Sequence, residues 1–119
     1  MIKTERTIVR AFLEEDLDFF IEYRNDSDWM QFQAFKGLAK DTYRSSLLMP
    51  FQIDLGGQLA IALNDTNRLI GDLYIHKTKE GIYLGYTIHP AFARKGYVYE
   101  VVCSMVAYLK ETYNNIKII

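Results

Sequence analysis

The stretch HPAFARKGYVYE, residues 89–100, sets two adjacent cations, Arg94 and Lys95, directly before Gly96. Cationic side chains hold phosphate through charge-assisted hydrogen bonds, and a glycine lets backbone N–H groups come close to it. The residues after Gly96 read as a helix, because Val98, Val101, Val102, Met105, Val106 and Leu109 recur at helical spacing. The residues before His89, IYLGYTI at 82–88, are rich in β-branched and aromatic types and read as a strand. A strand, a short basic loop and a helix N-terminus form a common phosphate-holding layout. An ordinary solvated loop with a glycine turn fits the same residues, since one glycine loop is a weak signal.

Other reactive side chains are sparse. His76 stands at a strand end and His89 before Pro90. Either could shuttle a proton, and either fits a solvated or backbone-bonded histidine at a strand edge. No other His, Cys or paired carboxylate stands at metal-ligand spacing, so no metal site is expected. No Ser/His/Asp set has a signature. Cys103 is the single cysteine, which excludes an intramolecular disulfide, and its apolar neighbours point to burial in a helix. Glu100 falls in the first turn of the long helix, where a carboxylate is stabilising whatever the function.

The elements that must position these residues can be read in order. Residues 7–12 (TIVRAF) form a first strand, and Glu14, Glu15 and Asp16 place negative charge at the start of a helix continuing through Leu17, Phe20, Ile21 and Arg24. Residues 25–28 (NDSD) break it. A second helix starts at Asp41 as N-cap and runs through Leu47 and Leu48 to Pro50. Strands over 59–63 and 69–75 flank the polar turn NDTN and read as a hairpin. The strand over 82–88, the helix over 96–112 and a last strand over 116–119 complete the order β-α-α-β-β-β-α-β. This is an α+β pattern with an antiparallel meander, closing in a strand–helix–strand unit whose strands run parallel.

The chain has 119 residues and reads as one domain, 1–119, with no linker or repeat. A net charge of −1 supplies no global field for nucleic acid. Nine tyrosines and seven phenylalanines imply a well-filled interior or a large contact surface. The start, MIKTERTIVR, lacks the apolar core of a secretion signal, and no apolar stretch is long enough to cross a bilayer. The expectation is a cytoplasmic protein without a membrane or nucleic-acid partner.

Taken together, TERTIVRAF, NDTNRLIGDLYIH and above all LGYTIHPAFARKGYVYEVV resemble the GCN5-related N-acetyltransferases (GNAT), within them the branch acting on ribosomal-protein N-termini and related amines. The resemblance covers nearly all of the chain and implies an acetyl-CoA-dependent N-acetyltransferase with a mostly antiparallel sheet flanked by helices. It implies that the segment from Ala93 through Arg94, Lys95, Gly96, Tyr97 and Val98 wraps the coenzyme pyrophosphate, with Gly96 bare so that backbone and phosphate can meet. It implies that the strand through Tyr86, Thr87 and Ile88, up to His89, pairs with the pantetheine arm. Trp29 and Phe32 fall where the family lines its acceptor pocket, or in the core. Tyr83 stands where the branch often carries a glutamate, a candidate general base, and a neutral phenol there is a poor base. Packing is its other reading. Ala93 and Val98 depart from the usual loop, where Gln or Arg and Gly or Ala are common. Family members continue past the strand at 116–119 with a further helix and a hairpin, so a C-terminally shortened fold is expected, its apolar last strand covered by a second copy. The acceptor is expected to be a small-molecule or peptide amine. A truncated homologue acting as a coenzyme-binding or oligomeric scaffold is the alternative.

Overall fold

A computed structural model describes residues 2–119. In chain order the elements are β1 (Ile2–Lys3), β2 (Thr7–Arg10), α1 (Leu17–Arg24), α2 (Lys40–Leu47), β3 (Gly57–Leu63), β4 (Leu69–Thr78), β5 (Gly81–Ile88) and α3 (Tyr97–Thr112). Short 3₁₀ turns at Glu14–Asp16 and Pro90–Phe92 precede α1 and follow β5. The strands form one antiparallel sheet in the order β1-β2-β3-β4-β5. The α+β fold with its meander is as expected.

Strand alternation divides the apolar residues between two cores. Val9, Leu59, Ile61, Leu73, Ile75 and Ile82 pack with Val101, Met105 and Leu109 of α3 on one face. Phe12 and Ala60 pack with Leu17, Phe20 and Tyr23 of α1 and Tyr43 and Leu47 of α2 on the other. The sheet thus lies between α3 and the α1–α2 pair. Among the described residues no helix is long and apolar enough to cross a membrane.

Several local expectations need correction. β1 is a two-residue strand, too short to leave a signal in composition, and it adds an edge to the expected order. The first long strand ends at Arg10 because its guanidinium turns back onto Asp16 at 2.7 Å and onto the carbonyl of Ala11 at 3.0 Å, where the chain leaves the sheet. α2 is capped by extended Ala39, whose carbonyl takes the N–H groups of Thr42 and Tyr43, while Asp41 sits inside the first turn beside Arg44. Cys103 is exposed, not buried, because the buried stripe of α3 is Val101, Met105 and Leu109, and position 103 falls on the opposite face. The last strand is reduced to one parallel bridge, Ile82 to Ile118. Ile82 donates to the Lys117 carbonyl at 2.8 Å and accepts from the Ile119 N–H at 2.8 Å, and no ladder extends beyond them among the described residues. Its parallel direction is as expected.

Candidate active site

Sequence forces the loop between β5 and α3 into a particular shape. Pro90 opens the 3₁₀ turn, and the His89 ring caps it by accepting from the Ala91 N–H at 3.0 Å. Arg94 then adopts φ 61° and Gly96 φ 81°, both left-handed. Only glycine takes that conformation freely. A Cβ on Gly96 would meet the Arg6 guanidinium at 3.3 Å, so local conformation is the reason for glycine that the structure itself displays. Gly96 is the N-cap of α3, a helix of 16 residues, and the first intrahelical bond runs from the Glu100 N–H to the Gly96 carbonyl. The amides of Tyr97, Val98 and Tyr99 therefore lie ahead of the helical ladder, at the positive end of the helix dipole. Arg94 and Lys95 are exposed beside them. Val98, the bulky departure, packs its side chain partly against the core.

Arg6, absent from the sequence-based candidates, holds this loop from β2's side. Its guanidinium donates to the Lys95 carbonyl at 3.0 Å, pairs with Glu100 at 2.8 Å and lies 4.3 Å from the centre of the Tyr97 ring. Glu100 also accepts from the Arg6 backbone N–H at 3.0 Å and from the Thr4 hydroxyl. Burial pushes its carboxyl up, but the bonds from Thr4 and Arg6 outweigh that and hold it at about 2. Glu100 therefore ties the start of α3 to the first long strand.

β5 carries the second part of the site. Both backbone groups of Ile82 point away from β4, toward the segment at 117–119, whereas His89 donates to the Ile70 carbonyl of β4 at 2.7 Å. Backbone groups alternate sides along a regular strand, and the β4–β5 register is unbroken. The N–H and C=O groups of Leu84, Tyr86 and Ile88 therefore face the open edge. Trp29 occupies one of them, its indole N–H donating to the Ile88 carbonyl at 2.8 Å. An open edge of this kind can pair with an extended amide-bearing chain.

Thr87 and His89 turn inward instead. Thr87 lies opposite Asp72 and is buried. The His89 ring stacks on Phe19 at 4.4 Å and meets the Glu22 carboxylate at 3.1 Å. Neither side chain reaches the open edge, and the His89 N–H is spent on β4, so the groups this stretch presents at the edge are the backbone groups of Tyr86 and Ile88.

On the α1–α2 face of the sheet, a cleft of about 310 Å³ lies against β5, walled by Gln33 and Phe35, Gln58, Tyr74 and residues 85–87. Its base is an ion pair. Arg24 donates to Asp72 at 2.6 Å, the two side chains being 4% and 0% exposed, and the Tyr23 hydroxyl also donates to Asp72. Burial pushes the Asp72 carboxyl up even with Arg24 beside it, and burial, then Asp72, pushes the Tyr23 phenol well up. Arg24 also donates to the Phe35 carbonyl at 3.0 Å, tying the segment at 25–39 to the sheet. Its guanidinium lies 5.4 Å from the Phe20 ring and 5.7 Å from that of Phe35, and its Nε has no hydrogen-bond partner among the described residues.

The remaining candidates divide. Trp29 bridges the cleft segment and the open edge. Phe32 is 91% exposed and does not wall the cleft. Tyr83 is exposed, its hydroxyl 3.5 Å from Glu80. Asp72, Arg24 and Tyr23 were missed, although a lone charge inside LIGDLYI signals a buried partner.

The geometry has relatives. The structure of an acetyltransferase of the GNAT family from Bacillus anthracis superposes with a TM-score of 0.84 at 24% identity, over 98% of this chain and 70% of that one. A Vibrio cholerae protein provisionally named a ribosomal-protein-serine acetyltransferase gives 0.76 at 15% identity, over 98% and 70%. Spermidine N-acetyltransferase from Vibrio cholerae, in complex with CoA and spermine, gives 0.71 at 17%, over 94% and 68%. No curated protein matches the sequence. The family model for the acetyltransferase (GNAT) domain matches residues 6–119, spanning the Arg6 clamp, the β5 edge and the α3 loop alike, and the chain belongs to that family.

Proposed function

We propose that this protein transfers an acetyl group from acetyl-CoA directly to a primary amine. The observation that carries the reading is an open strand edge followed at once in the chain by a helix N-terminus. The open edge of β5 ends at Ile88, and after the turn at Pro90–Phe92 come the loop at 93–96 and the free amides of Tyr97, Val98 and Tyr99. In this reading the pyrophosphate lies on those amides with Arg94 and Lys95 beside it, and the pantetheine amides pair with the edge groups of Tyr86 and Ile88. The thioester carbonyl accepts an N–H of that edge, which stabilises charge developing on oxygen. The amine enters by the Arg24–Asp72 cleft, and holding the two reactants together supplies much of the rate. No covalent enzyme intermediate is required.

The acceptor is an amine of a small molecule or of a protein N-terminus. The two Vibrio cholerae neighbours support both, one named for a ribosomal-protein serine and the other for spermidine. A cytoplasmic setting and self-association through residues 116–119 go with the same reading, and sedimentation at micromolar concentration tests the latter. Calorimetric titration with acetyl-CoA tests the central claim. A Kd near 1 μM, about −8 kcal/mol, is the expected result. Absence of heat at millimolar ligand would refute it and return the chain to the scaffold reading.

A further inference from the structure

Resting on that reading, the transfer needs a group to take a proton from the attacking ammonium. Tyr83 does not supply one, since its hydroxyl turns to Glu80. Directly across the β4–β5 ladder from Tyr83 stands His76, and cross-strand partners share a face of the sheet. The surroundings of His76 dictate its tautomer. Nε2 lies 3.1 Å from the backbone carbonyl of Asp54, which can only accept, so Nε2 carries the hydrogen. Nδ1 is then bare, and the Tyr74 hydroxyl lies 3.4 Å from it. That separation is long, as catalytic contacts often are before substrate binds.

The pair occupies a notch made for it. A Cβ on Gly56 would come 2.6 Å from the Tyr74 hydroxyl oxygen and 3.0 Å from the His76 ring. Tyr74 itself walls the cleft and lies opposite Gly85. A Cβ on Gly85 would meet nothing nearer than Tyr74 Cβ at 3.9 Å, so the sheet beside Tyr74 is open.

We propose that Tyr74 and His76 are the proton relay of the acetyl transfer, with the phenol as carrier at the cleft wall and His76 Nδ1 as acceptor. The ammonium gives one proton, by way of cleft water, to the Tyr74 oxygen, whose own proton passes to Nδ1. The freed amine lone pair forms the C–N bond as the C–S bond breaks. The second N–H proton leaves on the thiol sulfur, and His76 returns its proton to solvent. Other titratable groups on this face are Tyr83 across from His76 with Glu80 beyond it, Asp54 next to the His76 ring, and Asp72 and Arg24 in the cleft that Tyr74 walls.

Long-range proton–nitrogen NMR on the full chain reads the tautomer directly. The expected result is a protonated Nε2 and a bare Nδ1 whose shift moves in Tyr74→Phe, and a protonated Nδ1 would overturn the proposal. Kinetics read the role. With acetyl-CoA and either spermine or a serine-initiated tetrapeptide, His76→Gln and Tyr74→Phe should each lower kcat about 10²-fold. KM for acetyl-CoA should hold, and the double variant should fall no further. Hydroxylamine, a nucleophile uncharged at neutral pH, should lose less than about threefold because it needs no base. An equal loss on both nucleophiles, or no loss on the amines, would overturn the relay. Failure of the unaltered protein to bind acetyl-CoA would instead mark failure of the acetyltransferase reading.

Discussion

Replacing Asp72 by leucine strands a guanidinium in the interior. Arg24 is 3% exposed, and Asp72 is its only carboxylate partner among the described residues. Breaking a buried pair by removing one member costs about 3–5 kcal/mol, because the desolvated charge that remains has no counterion. Against a total of about 5–15 kcal/mol for a domain, that is a large fraction. At about 4 °C per kcal/mol for a chain of this length, Tm should fall by about 12–20 °C. Arg24→Met leaves the carboxylate instead, and here the sign of the pH dependence is fixed. Arg24 is what lowers the Asp72 carboxyl against a burial that raises it. Without Arg24 the folded-state value rises further above the unfolded one. Stability is then full below the unfolded value and is lost as pH rises through the folded one, so Arg24→Met should be more stable at pH 5 than at pH 8. Arg24→Met combined with Asp72→Leu should recover most of the loss, since a well-packed apolar pair often matches a buried ion pair. Thermal melts of the cycle at both pH values decide the matter. A double variant no more stable than Asp72→Leu, or a single loss below about 1 kcal/mol, would show that the pair carries little net burial energy and refute the reasoning.

Trp29 is the only tryptophan, so its fluorescence should change when acetyl-CoA claims the Ile88 carbonyl. A neutral hydrogen bond contributes about 0.5–1.5 kcal/mol net, and Trp29→Phe should therefore tighten acetyl-CoA binding by about 2- to 10-fold; weaker binding by calorimetry would show that the indole is a wall rather than a competitor. Gly96→Ala forces a Cβ into φ 81° beside Arg6, and chemical denaturation should register a loss of about 1–2 kcal/mol. Glu100 is held at about 2 against an ordinary 4.5, so its contribution is present above pH 4.5 and fades as pH falls toward 2. The melting-temperature gap between the unaltered protein and Glu100→Gln should be constant above about pH 5 and close through that window, and a gap that persists at about pH 2 would assign the bond some other role.

The parts of the fold legible in the sequence are those set by local periodicity. Leu73 and Ile75 point into one core with Tyr74 turned outward between them, and Val101, Met105 and Leu109 repeat once per turn, so both elements announce themselves. Local composition misleads where tertiary geometry decides. Residues 116–119 have a strand's apolar residues, but Asn114 and Asn115 turn through left-handed conformations out of α3, and only Ile118 meets β5 in register. Cys103 stands among valines in the sequence, yet a position two residues from the buried stripe of a helix points the opposite way.

The same division explains the site. Arg94, Lys95 and Gly96 are neighbours in sequence and act through local backbone, so the loop is readable without the fold. The Arg24–Asp72 bond spans 48 residues and the Arg6–Glu100 bond 94, and no local pattern records which charge meets which. Both pairs do what the local elements do not: one fixes the cleft segment to the sheet, the other fixes the helix start to β2. Tyr74 and His76 are two apart on a strand and so share a face, which is legible; that Asp54 fixes the tautomer and Gly56 leaves the notch is not. If the relay holds, an acetyltransferase lacking the expected carboxylate at position 83 has moved the base one strand inward. The Gly56→Ala variant then becomes its sharpest probe. A Cβ 2.6 Å from the Tyr74 hydroxyl and 3.0 Å from the His76 ring should push the two apart and lower kcat for amines, while the coenzyme edge of β5 and the KM for acetyl-CoA stay as they are.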